Sequence, residues 1–299
     1  MSSALDETIA RVLDRQLRPE AAPTEDAWHE IWTSRALGAD APIVTAVIGG
    51  ALADRLPWVF VSGYQAANRR AFPELPPSSG WACFAASEDR DGKLPGVSLS
   101  EVDGGLELSG SKTWIAASDH VAQLVVTVGR GDEQRLVVVE RQTEGVAVAS
   151  YDRSKFLGDM SQGRATFDRA PVALEMAGST SRWGFGAGEP LHVLTALNAF
   201  MLSHTLALAG PASLVGQTLA SIHGAAMLAE HELTAELVSY GLAGLDAHTQ
   251  LAAAEFETLI QEVDADLYQR WTEDRRLVGM FSAEINRHAE AAADRAAEG

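Results

Sequence analysis

The chain has 299 residues, 46% of them hydrophobic, which is enough to bury the core of one large domain or of two to three small ones. Its formal charge of −18 argues against a nucleic-acid binder, because neutralising phosphates requires clustered lysine and arginine. Cys83 is the only cysteine, which excludes an intrachain disulfide. The N-terminal segment MSSALDETIARVLDRQLRPE mixes charges and lacks an apolar signal core, so a cytoplasmic protein is expected.

The first quarter of the chain predicts helices. Leu5, Ile9 and Val12 fall on one face of a first helix, and Thr24 is placed to cap a second one. A further apolar helix follows Pro57, and the double proline at 76–77 ends the region. We therefore expect an N-terminal helical domain over residues 1–78.

From Gly80 onwards the pattern changes to short strands. The segments VSLSEV and LELSG are joined by Asp103, Gly104 and Gly105, which is typical of a β-hairpin. The valine-rich segments QLVVTV and RLVVVE, separated by GRGDEQ, predict a second hairpin. We expect a mainly antiparallel β domain over residues 79–175.

The last region, residues 176–299, predicts helices rich in alanine and leucine. Residues 190–229 contain no Asp, Glu, Lys or Arg, a length that meets the crude criterion for a transmembrane span. Polar residues such as Asn198, His204 and Gln217 lie inside this segment, and its acidic flanks show no positive bias. We expect the central helices of a buried bundle instead, which makes the fold class α+β.

Three segments of the β region stand in the order and spacing of a known family. The segment GGLELSGSKTWIAASDHVAQLVVTV, with its Lys-x-Trp-Ile motif, resembles the β-domain segment of the acyl-CoA dehydrogenase family. Upstream, CFAASEDRDG stands where the family has a strand ending in Thr-Glu, and downstream FLGDMSQGRATFDRAPVA resembles its Leu-Gly strand. The resemblance covers residues 80–175 and implies the family's fold, with a C-terminal bundle cut short at Gly299.

The resemblance also implies a site for FAD. In the family the Trp of this hairpin packs beside the flavin ring, so Trp114 would wall the isoalloxazine and Ser87 would replace a Thr that contacts it. Ile115 and Ala116 complete the predicted cofactor-binding set. A protein tunes a flavin through such apolar walls and polar contacts. Spacing alone also fits a second interpretation, in which Trp114 is a half-buried aromatic on a small β core.

Several of the family's contacts are missing. Ala116 stands where the family usually has a hydroxyl, and DRDGKLPG replaces the Gly-Ser-Asp that meets the acyl-CoA. The helix that should contain Arg followed by Phe-Gly has the sequence LASIHGAAM instead. No Gln-x-x-Gly-Gly segment is present.

The proposed chemistry needs a carboxylate base, and the sequence offers one weak candidate. The family places this base near the start of the first C-terminal helix or in a late loop, and the only carboxylate between residues 189 and 229 is Glu189. An acid beside a helix N-terminus also has an ordinary electrostatic explanation. His204 and His223 match no metal spacing, so we expect hydrogen-bonded histidines and no metal site.

Three functions are compatible with the sequence. The first is a flavoprotein oxidoreductase that dehydrogenates an acyl-CoA-type thioester at its α and β carbons, with hydride transfer to FAD. The second is a flavin monooxygenase or oxidase on the same fold. The third is a non-catalytic subunit that pairs with a complete homologue. The family's usual activity favours the first and the missing contacts favour the third. We expect no nucleic-acid or membrane partner, and we expect a homo-oligomer or a hetero-oligomer with a homologous subunit.

Overall fold

The computed structural model describes residues 3–75, 80–152, 154–176, 184–230 and 234–298. Its N-terminal region is helical, as predicted. The hydroxyl of Thr24 accepts a hydrogen bond of 3.2 Å from the amide of Ala27 and so caps the second helix. The helices of this region are α1 (Ser3–Leu13), α2 (Glu25–Ser34), α3 (Pro42–Leu52) and α4 (Leu56–Ala71).

The middle region forms two four-stranded sheets. Its strands are β1 (Trp81–Ala85), β2 (Ser98–Val102), β3 (Gly105–Ala116), β4 (Val121–Val128), β5 (Arg135–Glu140), β6 (Val146–Ser150), β7 (Gln162–Pro171) and β8 (Leu174–Met176). One sheet has the order β1-β4-β5-β8 and the other has the order β2-β3-β7-β6. The pair β1–β4 is parallel and the other described pairs are antiparallel.

Both predicted hairpins are present. Asp103 and Gly104 form the turn between β2 and β3, and Gly104 has a φ of 102°, a backbone conformation that glycine adopts without steric cost. The second hairpin joins β4 to β5, with Val128 paired to Arg135. Local turn chemistry therefore sets the register of these strands.

The C-terminal region is built around one buried helix. Its helices are α5 (Gly184–Ala207), α6 (Ala212–Glu230), α7 (Ala235–Val263), α8 (Ala265–Asp274) and α9 (Ser282–Glu298). Residues 190–205 of α5 are all buried, and the helix contacts α3, α4, α6 and α7. Glycines permit the closest crossings: a Cβ at Gly50 would lie 2.1 Å from the carbonyl oxygen of Ala196, and one at Gly63 would lie 2.4 Å from the Cα of Val193.

The uncharged segment 190–229 does not behave as one buried unit. The prediction of complete burial is correct for residues 190–205 of α5 but wrong for α6, which buries one face and exposes Gly216, Gln217, Gly224 and Met227. The reason is that α6 has small and weakly polar residues on its outer face where charged ones are usual. Within the described ranges, no helix is long and apolar enough to cross a membrane.

One hydrophobic core connects the three regions. It contains residues such as Trp58 from α4, Ile115 from β3 and Phe200 from α5. The predicted boundary at residues 78–79 lies outside the described residues, and the boundary at 175–176 falls within β8. The division into domains over 1–78, 79–175 and 176–299 stays a prediction.

Candidate functional site

Trp114 lies near the end of β3, where the sheet meets α4. Its side chain is half-buried, and its indole Nε1 donates a hydrogen bond of 3.3 Å to Oε1 of Gln162 on β7. The ring also has edge-on contacts with Phe60 and Tyr64 of α4, at centroid distances of 6.4 and 6.0 Å. These contacts fix the orientation of the indole while part of it stays accessible.

Ser87 follows β1 and lies beside Trp114. Its backbone oxygen accepts a hydrogen bond of 2.9 Å from the amide of Thr113, the residue before Trp114. The Ser87 side chain is exposed. The structure therefore brings together two of the four residues that the sequence assigned to cofactor binding, with both side chains at least partly accessible.

Ile115 and Ala116 are placed differently. Their side chains are 0% and 1% exposed, so both point into the protein core. The amide of Ala116 donates a hydrogen bond to the thiol of Cys83, which is itself buried. Burial raises the pKa of that thiol to about 11. A bound molecule could meet these two residues only through main-chain atoms, and the Ala116 amide already has a partner.

An ion pair between the buried Lys112 and the partly exposed Glu88 holds the segment around Ser87 against β3. The side chain of Lys112 is 1% exposed, and its Nζ lies 2.9 Å from Oε1 of Glu88, 3.0 Å from Oγ1 of Thr127 and 3.3 Å from the carbonyl oxygen of Ala86. Burial lowers the pKa of Lys112, and the bond to Lys112 lowers the pKa of Glu88. Lys112 thus connects β3 of one sheet to β4 and the end of β1 in the other.

The loop between β6 and β7 positions Gln162, the partner of Trp114. Buried carboxylates from two helices hold this loop: Asp274 of α8 accepts from the amide of Leu157, and Glu25 of α2 accepts from the amide and hydroxyl of Ser161. Burial raises the pKa of both carboxyls. Gln162 therefore has a fixed place, because the chain immediately before it is bound to the helices.

Glu189 lies in the second turn of α5 and is half-buried. Burial raises the pKa of its carboxyl to about 8, and the charge of Glu284 on α9 adds to the rise. Glu189 in turn helps to raise the pKa values of Tyr64 and Cys83, although burial is the main cause in both cases. The structure thus brings Glu189 within electrostatic range of Tyr64, whose ring contacts Trp114.

His204 and His223 bond to the main chain, as predicted. Nε2 of His204 lies 3.2 Å from the carbonyl oxygen of Ala53, and Nδ1 of His223 lies 2.8 Å from that of Leu219. The described part of the chain contains no group of three His, Cys, Asp or Glu side chains that could hold a metal ion.

Sequence reasoning did not identify Tyr64, Lys112 or Gln162 as parts of this site. The burial of Lys112 could not be read from alternation, because the register of β3 shifts between Leu108 and Gly110 and both Ser111 and Lys112 are buried. Gln162 gave no signal either, since its partner Trp114 is 48 residues away in the chain.

Comparison with solved structures identifies the fold. The chain is similar to an FAD-dependent dehydrogenase at 12% identity, covering 99% of this chain and 98% of that one with a TM-score of 0.70. It is similar to butyryl-CoA dehydrogenase from Megasphaera elsdenii at 10% identity, covering 98% of each chain with a TM-score of 0.67. The ChsE4-ChsE5 complex from Mycobacterium tuberculosis is another neighbour, at 15% identity, 100% and 98% coverage and a TM-score of 0.58.

These similarities confirm the expected α+β fold, that of the acyl-CoA dehydrogenases, with helical regions on either side of a β region in the chain. At 10–15% identity they are evidence of the fold alone. No family model matches the sequence, and a search of curated proteins returned no match.

The ion pair can be tested by Lys112→Met. This change removes the cation that bonds to Glu88, Thr127 and Ala86, and because Glu88 is 26% exposed we expect the free energy of unfolding to fall by about 1–2 kcal/mol, measured by urea denaturation at pH 7. The double variant Lys112→Met/Glu88→Gln should recover part of the loss. Lys93→Met removes a lysine that is 78% exposed and should change stability by less than about 0.5 kcal/mol. Equal effects of the two lysine variants would contradict a structural role for the pair.

Proposed function

We propose that this protein is a flavin-dependent oxidoreductase of the acyl-CoA dehydrogenase type, acting on an acyl-CoA-type thioester. One observation supports the proposal most directly: a half-buried, oriented Trp114 lies beside the accessible Ser87, at the edge of a β region in this fold. The similarity to FAD-dependent dehydrogenases supports a flavin as the cofactor.

Trp114 and Ser87 would hold the FAD. Trp114 offers an apolar face that Gln162 keeps in one orientation, and the Ser87 hydroxyl is free to donate or accept a hydrogen bond. Ile115 and Ala116 would contribute through main-chain atoms, because their side chains are buried. The bound flavin would supply a hydride acceptor.

Glu189 is our candidate for the proton-accepting group. Removing a proton next to a carbonyl requires a base whose pKa lies near the working pH, and desolvation raises the pKa of Glu189 to about 8. In this role Glu189 would take up the α proton, and it lies within electrostatic range of Tyr64, whose ring contacts Trp114.

Trp114→Ala tests the flavin wall. We expect the wild-type protein to show flavin absorption after purification or after incubation with FAD, and Trp114→Ala to bind FAD more weakly while the apo protein keeps most of its stability. The reason is that a half-buried ring leaves only a small cavity when it is removed.

The matched control is Trp58→Ala. Trp58 is 0% exposed and donates to the carbonyl oxygen of Ala22, so its loss should cost about 3–5 kcal/mol of apo stability. If Trp114→Ala destabilises the apo protein as much and leaves FAD binding unchanged, Trp114 is a core residue and the flavin proposal fails.

Glu189→Gln tests the protonation of the half-buried Glu189 carboxyl. A pKa raised from 4.5 to about 8 means that the folded protein keeps a proton that the unfolded chain releases, so wild-type stability should fall as pH rises between these values. The glutamine variant should lack this loss, as measured by denaturant unfolding at pH 5, 7 and 9. Glu30→Gln, at an exposed position on α2, should follow the wild type.

The same substitution tests the role of Glu189 in the reaction. With butyryl-CoA and an artificial electron acceptor, kcat/KM should rise with pH and level off above about 8, because only the ionised carboxylate accepts a proton. Glu189→Gln should abolish this activity. A variant with wild-type activity would remove Glu189 from the mechanism.

A second candidate function is a non-catalytic subunit that pairs with a complete homologue. The burial of Ile115 and Ala116, and the bond between the Ala116 amide and Cys83, favour it because they remove contacts that a flavin would use. The absorption spectrum separates the oxidoreductase from the non-catalytic subunit. A protein that shows no flavin absorption, even after incubation with FAD, supports the non-catalytic subunit.

We also propose that the α6–α7 face joins two copies of this chain. Four large apolar side chains of these helices are exposed by 43–68%: Met227, Leu237, Tyr240 and Leu251. Exposed apolar patches usually mark interfaces.

Size measurement at micromolar concentration should give a dimer or larger, and Leu251→Glu should weaken the dimer by burying a charge at the interface. Leu13→Glu, at an exposed position on α1, should not. A wild-type monomer would contradict this part of the proposal.

A further inference from the structure

A cavity of about 350 Å³ lies between the first turns of α5, the start of α7 and the start of α9. A Cβ added at Gly186, which lines it, would meet no heavy atom of the described residues within 4 Å. The volume falls within the range of small-molecule sites in proteins.

The cavity wall is mainly apolar, with a short polar portion. The apolar residues come from three helices and include one aromatic ring: Ala187, Pro190, Ala235, Val238, Leu242, Phe281 and Ile285. The polar residues are Ser239 of α7 and the pair Glu284–His288 of α9, whose Oε1 and Nε2 atoms lie 3.7 Å apart. An apolar wall with few polar groups is the usual composition of a site for a small organic molecule.

The negative charge near the cavity favours a ligand whose polar group is a cation. Glu284 lines the cavity, and Glu189, which directly precedes the lining residue Pro190, is close enough to feel its charge. An anionic group would be repelled by Glu284 and by the net charge of −18 on the chain. A cation would be attracted to Glu284 and could also rest on the ring of Phe281.

We propose that this cavity binds a small, mainly apolar molecule that carries one amino group. The apolar part fills the space between the helices and the ammonium group lies at Glu284. The site differs from the one proposed for the flavin, because neither Ser87 nor Trp114 lines it. The rings of Phe185 and Tyr64, in contact at 5.4 Å, connect the beginning of α5 to Trp114.

Three probes of similar shape test this inference by isothermal titration calorimetry at pH 7. They are 2-phenylethylamine, 2-phenylethanol and 3-phenylpropanoate, which differ mainly in the charge of the polar group. We expect the amine to bind about two- to fivefold more tightly than the alcohol, since Glu284 is 59% exposed and its ion pair is partly screened. The carboxylate should bind most weakly.

Two variants of α9 locate the polar group. Glu284→Gln should bring the dissociation constants of the amine and the alcohol within twofold of each other, roughly the limit of a pair without charge attraction. Glu290→Gln removes an exposed charge from the same helix, outside the cavity wall, and should leave the preference unchanged. Ala187→Phe places a ring in the cavity and should weaken both neutral and cationic probes.

Three results would overturn the inference. They are a carboxylate that binds as tightly as the amine, an amine preference that survives Glu284→Gln, and the absence of amine binding at millimolar concentration. The first two remain decisive if Ala187→Phe does not fold, because Glu284 is at the surface and its substitution spares the core. Since no probe reports on flavin, failure here leaves the proposed oxidoreductase function untouched.

Discussion

The ion pair between Lys112 and Glu88 is the constraint on which the candidate site depends. An ammonium group that is 1% exposed must find partners inside the protein, and Lys112 finds them on β4 and on the segment that follows β1. Ser87 lies between Ala86 and Glu88 in the chain, and Lys112 bonds to both of these residues. The hydrogen bonds of Lys112 therefore help to fix the position of Ser87 relative to Trp114. Apolar packing alone would leave the two sheets freer to slide, because hydrophobic contacts have no fixed direction.

The parts of the fold that depend on local chemistry could be predicted from the sequence. The hairpin at Gly104 and the cap at Thr24 need only neighbouring residues, and both are present. The outward face of α6 could not be predicted in this way, because a lack of charge indicates burial only when the neighbouring elements cover the whole helix. In the bundle, residues 190–205 of α5 are covered on all sides and α6 is not.

Site residues divide along the same line. The sequence pairs Ser87 with Trp114 through a resemblance, and the structure brings them together through the bond to Thr113. The sequence cannot show that Ile115 and Ala116 face inward, because the register of β3 shifts between Lys112 and Ile115 and simple alternation of side chains fails there. The sequence also cannot predict which residues lie near Glu189, since Tyr64 and Glu284 come from distant parts of the chain.

The central position of α5 has a consequence for biosynthesis. Helix α3 is buried at every residue from Ile43 to Leu52, and much of its cover is α5, which the ribosome makes only in the second half of the chain. During translation the apolar surfaces of α3 and α4 that pack against α5 therefore stay uncovered until α5 has been synthesised. Nascent chains in this condition are prone to aggregate and are typical clients of chaperones, so the yield of folded protein in a cell should depend on chaperone supply more than its final stability would suggest.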